Sequence, residues 1–74
     1  MSSEIAKILG ECVNKVILIK LKDKRLIRGS LQAFDQHMNL ILHKTEDITD
    51  NETKNLDYII LRGDNIIAVY LPDK

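Results

Sequence analysis

The sequence predicts an all-β fold with one short N-terminal helix and five strands in a sharply curved sheet. Three observations support this. Two runs between Lys15 and Phe34 alternate apolar and polar residues around a two-residue polar break, Asp23-Lys24, the mark of a hairpin. Gly29 lies inside the second run, where a strand glycine signals a bend, a bulge or a close backbone approach. Two strongly apolar runs, 56–61 and 66–71, then flank a four-residue polar turn.

Taken in order, Ser2 and Ser3 are placed to cap a helix over about residues 3–10, with Glu4 in its first turn, Ile5, Ile8 and Leu9 as an apolar stripe, and Gly10 as its stop. Such a helix is the size of a lid over the open end of a sheet. The first strand spans Lys15 to Lys22, with Ile17, Ile19 and Leu21 on its apolar face. Leu26 to Phe34 repeats the period, placing Ile27, Gly29, Leu31 and Ala33 on one face and Arg28, Ser30 and Gln32 on the other. Leu40 to His43 is a third strand. Thr45 to Asn55 contains one apolar residue, Ile48, and reads as a solvated acidic connection unsuited to phosphate. Leu56 to Leu61 and Ile66 to Leu71 are the last strands, and Pro72 ends the structure.

At 74 residues the chain is one small domain. A chain of this size buries only about 60% of its unfolded surface, so its core needs support. A single cysteine, Cys12, forms no internal disulfide, and no Cys/His cluster has zinc-ligand spacing. Self-association remains as the stabiliser. The last two strands agree, because they are apolar at both odd and even positions and require burial of both faces. Pairing of one subunit's last strands with those of the next covers them and removes exposed edges, and such a head-to-tail contact closes into a ring when the rotation permits. Eleven basic and eleven acidic residues cancel, so any nucleic-acid contact must come from local geometry rather than a long-range field. No run approaches the roughly 18 apolar residues of a membrane helix, and the chain reads as soluble and cytoplasmic.

Polar residues interrupt the strand pattern at two places of chemical interest. In Phe34-Asp35-Gln36-His37-Met38-Asn39 an acid, an imidazole and a carboxamide fall on alternate residues. If this stretch is near-extended, Asp35, His37 and Asn39 leave one face and can grip one planar, hydrogen-bonding object. Asp35 is read equally as part of this grip or as a structural turn acid. The second interruption is Arg62-Gly63-Asp64-Asn65. The two are expected to form one site.

Phe-Asp-Gln-His-Met-Asn-Leu after the second strand and Ile-Leu-Arg-Gly-Asp-Asn before the last resemble the two signatures of the Sm/Sm-like (LSm) family. The first motif covers about residues 15–45, the variable acidic loop about 45–55 and the second motif about 56–71, so the resemblance spans nearly the whole chain. Arg62-Gly63-Asp64-Asn65 favours the archaeal and eukaryotic branch, and the absence of tails an archaeal homo-oligomer. The resemblance implies a strongly bent five-stranded antiparallel, SH3-like barrel assembled into a ring, usually a heptamer. It implies U-rich single-stranded RNA at the pore, one base per subunit. Carried over to this chain, His37 and Arg62 sandwich the base, Asn39 reads the uracil edge, Asp35 and Asp64 buttress the pocket, and Gly63 allows the tight turn. Met38 and Asn65 complete the candidate RNA-binding set, although Met38 is expected mainly in the core, with Phe34. Relatives commonly place a glycine in the first hairpin's turn, where this chain has Asp23-Lys24-Arg25.

The chemistry fits those assignments. Imidazole and guanidinium are flat, and stacking a base on such groups is worth about 1–3 kcal/mol. A carboxamide offers donors beside an acceptor, matching uracil's N–H and carbonyl where cytosine presents the wrong pattern. Asp64 is placed to hold Arg62 flat by a charge-assisted bond. Elsewhere, His43 reads as a solvent-facing strand residue, Cys12 as a small buried one, and Lys20, Lys22, Lys24, Arg25 and Arg28 as a basic hairpin surface, either solvated or a secondary RNA contact. The competing functions are a small-barrel protein-interaction module, a subunit of a mixed ring with Sm-like paralogues, and a hydrolase using Asp35, His37 and Asp64. The first lacks an aromatic groove, and the hydrolase lacks a nucleophile, an oxyanion site and a ligand set. The expectation is a protein that is not an enzyme and takes no cofactor or metal. Arg62-Gly63-Asp64 also spells an adhesion tripeptide, which a chain without signal peptide or disulfides gives no reason to adopt.

Overall fold

The computed structural model describes residues 4–72. Its elements are α1 (Glu4–Glu11), β1 (Val16–Leu21), β2 (Leu26–Phe34), β3 (Leu40–Asp47), β4 (Lys54–Leu61), a single 3₁₀ turn (Gly63–Asn65) and β5 (Ile66–Tyr70). The strands form one antiparallel sheet in the order β4-β3-β2-β1-β5. The chain's last two strands therefore lie at opposite edges. No helix among the described residues is long and apolar enough to cross a membrane.

The alternation in β1 becomes the core: Ile17, Ile19 and Leu21 are buried and meet Leu9 and Cys12 from the N-terminal segment, Ile27 and Leu31 from β2, and Leu40 and Leu42 from β3. Curvature comes from bulges. Register shifts lie between Arg28 and Ser30, and between Leu31 and Ala33, in the β2–β3 pair. More follow between Leu42 and Glu46 against β4 and at Lys20/Leu21 against β5. Each adds a local bend and extra twist. Gly29 lies within the first of these shifts. A Cβ there would meet the Thr45 Oγ1 at 2.9 Å and its Cα at 3.3 Å, so the glycine lets the bent strands approach.

Several boundaries differ from expectation. Gly10 does not stop the helix, which runs on to Glu11; Asn14, at φ 70°, takes the left-handed position beyond it. The Ser2 and Ser3 cap lies outside the described residues. Thr45 does not begin a solvated loop. It is buried, β3 continues to Asp47, and β4 starts at Lys54, leaving the connection to residues 48–53. Backbone pairing of Ile27 with Asp47 and Arg28 with Glu46 extends the strand past its apolar residues, while Glu46 accepts bonds from the Arg28 guanidinium. Ala33 is exposed, because the shift between Leu31 and Ala33 ends the alternation of β2. β5 ends at Tyr70, one residue before Leu71.

The edge strands keep their apolar surface bare. Ile60 on β4 is 71% exposed and Ile67 on β5 is 59% exposed. Tyr58, Tyr70 and Leu71 are similarly open. A small domain does not ordinarily leave a long apolar edge in water.

Candidate nucleic-acid interface

The stretch from Asp35 to Asn39 is a tight turn, so the near-extended reading with three side chains on one face is corrected. The Met38 N–H donates to the Asp35 carbonyl, and the Asp35 N–H to the Asn39 carbonyl. Met38 takes φ 64°. The cause is the Asp35 side chain, whose Oδ1 accepts from the backbone N–H groups of His37 at 2.9 Å and Asn39 at 3.0 Å. A short carboxylate that captures nearby backbone donors stabilises a turn over an extended strand.

Asn39 joins this turn to the other motif. Its Nδ2 donates to Asp35 Oδ2 at 2.9 Å, and its Oδ1 accepts from the Gly63 backbone N–H at 2.8 Å. The carboxamide is thereby held from both ends, yet one of its two N–H groups and one lone pair of its oxygen stay unused. Hydrogen bonds from Asn39, side chain first and then backbone, hold the Asp35 carboxyl below the usual aspartate range, with the His37 N–H and ring adding smaller contributions.

Gly63 also acts differently from expectation. No glycine among the described residues has positive φ, so its backbone does not require glycine for the turn. The requirement is space. A Cβ on Gly63 would lie 2.0 Å from the His37 carbonyl oxygen and 2.9 Å from the Met38 carbonyl carbon, so a side chain there would push the two motif turns apart. Beside it, Arg62 Nη2 donates to Asp64 Oδ2 at 2.9 Å, with both side chains largely exposed. Asn65 is exposed and contributes its carbonyl, which accepts from the Lys22 N–H and ties the first hairpin to this turn.

Asp35, Asn39 and Arg62 line one open pocket of about 390 Å³, whose apolar walls are Ala33, Phe34, Ile41 and Ile60. Those walls were not anticipated; the available signal was apolar residues directly flanking the polar motifs. His37 is exposed on the turn and lies outside this lining. Met38 is half-buried, packs against the core and lines an adjoining cavity, which shares Phe34 and Asp35 with this pocket, together with Ile5, Ala6 and Leu9 of α1. His43 is not simply solvent-facing: its ring stacks on Tyr58 with centroids 3.9 Å apart and planes 4° from parallel, and Asp57 Oδ1 lies 3.7 Å from its Nε2. Among the described residues no group of His, Cys, Asp or Glu is arranged to hold a metal ion.

Compared with known proteins, the chain matches the LSM domain over residues 7–71. A protein of Methanococcoides burtonii described as snRNP Sm-like is 36% identical over 70 residues, 93% of this chain and 97% of that one. The crystal structure of a heptameric archaeal Sm protein superposes with a TM-score of 0.83 at 35% identity, covering 88% of this chain and 96% of the other. The Sm protein of Pyrococcus abyssii, solved in complex with a uridine heptamer, gives 0.83 at 32% identity, covering 96% of this chain and all of that one.

Proposed function

The chain belongs to the LSM domain family, and on that premise we propose that it is a non-catalytic RNA-binding protein. In this reading its copies close into a homo-oligomeric ring, a heptamer like the archaeal relative. The ring holds U-rich single-stranded RNA at its pore, one base per subunit, and serves as a cytoplasmic scaffold or chaperone in RNA processing. The observation that carries it is the Asn39 bridge, which fixes one carboxamide between Asp35 and Gly63 while leaving an N–H and a lone pair free. Those are the two functions that pair with uracil's edge.

The remaining roles follow from the same turns. Arg62, kept in place by Asp64, and His37, exposed on the neighbouring turn, supply flat groups for the faces of the base. The placement of β4 and β5 at opposite sheet edges suits head-to-tail assembly, each β4 pairing with the next subunit's β5. A single base site is weak, but a ring captures each further uridine intramolecularly and gains avidity without new contacts. Met38, half-buried against the core, and Asn65, exposed beside Asp64, complete the proposed RNA-binding set.

Native mass spectrometry with oligouridine and oligocytidine tests this. Expected is a closed oligomer that takes up oligouridine in clear preference to oligocytidine. A monomer, or an oligomer that treats both alike, sinks the reading and favours a protein-interaction module.

A further inference from the structure

The face of β1 turned away from the core carries a feature that the pore reading does not use. Leu18 and Lys20 alternate with the buried residues of β1. Leu18 pairs with Tyr70 of β5, and Lys20 with Leu26 of β2 and Ala68 of β5. Together Leu18, Lys20, Lys24, Leu26, Thr49 and Tyr70 line a groove of about 380 Å³ that shares no residue with the Asn39 pocket. Thr49 fixes one wall, its Oγ1 accepting from the Leu26 N–H and donating to Asp47.

Charge on this hairpin is distributed unevenly. Arg25 is paired with Asp23, and Arg28 with Glu46. Lys20 and Lys24 are exposed and form no ion pair among the described residues. Asp23 and Asp47, the acids of the adjoining turn and strand, are already engaged by Arg25 and Thr49. The groove thus presents two free ammonium groups, an apolar floor from Leu18 and Leu26, and a Tyr70 ring, 50% exposed in the lone protomer, on the face of β5 that it shares with its cross-strand partner Leu18. Ammonium groups bind phosphate as point charges, and an aromatic ring stacks on any base.

We propose that this groove is a second RNA site, which takes a phosphate and a base of single-stranded RNA without regard to sequence. The inference rests on the reading of the protein as RNA-binding. It differs from the pore site in kind, because no carboxamide lines the groove to read a base edge. Tyr70 stands on an edge strand, so the groove recurs beside every joint of the proposed ring. A strand leaving the pore then finds a purely electrostatic and stacking surface on each subunit.

The test uses the intact oligomer, with fluorescence anisotropy of labelled oligoadenosine and oligouridine over a salt series. Oligoadenosine reports the groove, and the margin by which oligouridine binds more tightly reports the pore. Lys20→Gln/Lys24→Gln is expected to weaken oligoadenosine binding by about tenfold or more and to lower the salt slope by about 0.7 per lysine removed. Lys22→Gln, which removes the same charge from the same hairpin outside the groove, is expected to stay within about twofold. Asn39→Ala should lose oligouridine preference and keep oligoadenosine binding. The groove assignment is overturned if the wild type ignores oligoadenosine, if Lys22→Gln costs as much as the double variant, or if the double variant alters only the oligomer's mass. Unchanged oligouridine binding in Asn39→Ala sinks the pore reading and leaves the groove standing, so the two fail separately.

Discussion

The junction of the two motif turns and the two edges of the sheet solve opposite problems. At the junction, Asp35, Asn39 and Gly63 satisfy one another within a single chain, so the turns are set before anything binds. At the edges, Ile60 and Ile67 are more than half exposed, and their strands offer unpaired backbone to a second molecule. Under the proposed function, recognition is preorganised in the protomer, whereas burial is deferred to assembly. A variant should therefore damage one and spare the other.

The largest effect is expected at the edge. Ile67→Asp replaces an exposed apolar contact with a charge that any partner strand must desolvate, losing about 1.5–3 kcal/mol of burial at every joint. Native mass spectrometry should then show the protomer alone; an intact oligomer would mean that β5 is not the joint. Gly63→Ala attacks the junction instead. Its Cβ collides with the His37 carbonyl, an overpacking cost of about 1–3 kcal/mol, so oligouridine affinity should collapse while the oligomer's mass persists. Asn39→Ala removes the bridge and leaves the Gly63 N–H without its partner, costing about 1–3 kcal/mol of binding by titration calorimetry, again with the assembly intact.

Acid should loosen the junction more gently. Because hydrogen bonds depress the Asp35 carboxyl in the folded state, its contribution is fully present above the ordinary aspartate value. It is lost as the pH falls below about 4 and through the lower folded value. The Asn39 side-chain amide resonances should shift over that window in the wild type and not in Asp35→Asn; equal shifts in both would detach the turn from this carboxylate. Arg62→Lys is the mildest change. It keeps the charge and loses the flat surface, so oligouridine affinity should fall by up to about tenfold through stacking, the exposed pair with Asp64 adding little.

What the sequence revealed divides along the same line. β1 and the first half of β2 were legible because one buried face imposes strict alternation, and the buried Ile17, Ile19, Leu21, Ile27 and Leu31 obey it. The end of β2 and the polar half of β3 were not, since bulges reset the parity at Ala33 and backbone pairing carries β3 through Thr45, Glu46 and Asp47. In the site, the residue types and the meeting of the two motifs were visible. Their geometry was not: alternation of Asp35, His37 and Asn39 suggested a strand, but one carboxylate capturing two backbone N–H groups makes a turn. Gly63 was singled out for conformation when its role is proximity, which depends on a contact with His37 far away in sequence.

The order β4-β3-β2-β1-β5 has a further consequence for dilution. With unlike edges at its two ends, each protomer adds to a growing arc in one orientation, and every open arc carries one unmatched pair of ends. In the proposed ring the last junction is intramolecular and gains the effective concentration of tethered partners, an advantage no open arc shares. Dissociation should therefore be cooperative. For the proposed ring, complete rings and free protomers should coexist as concentration falls while open arcs stay scarce, and subunit exchange between preformed rings should be slow beside first assembly.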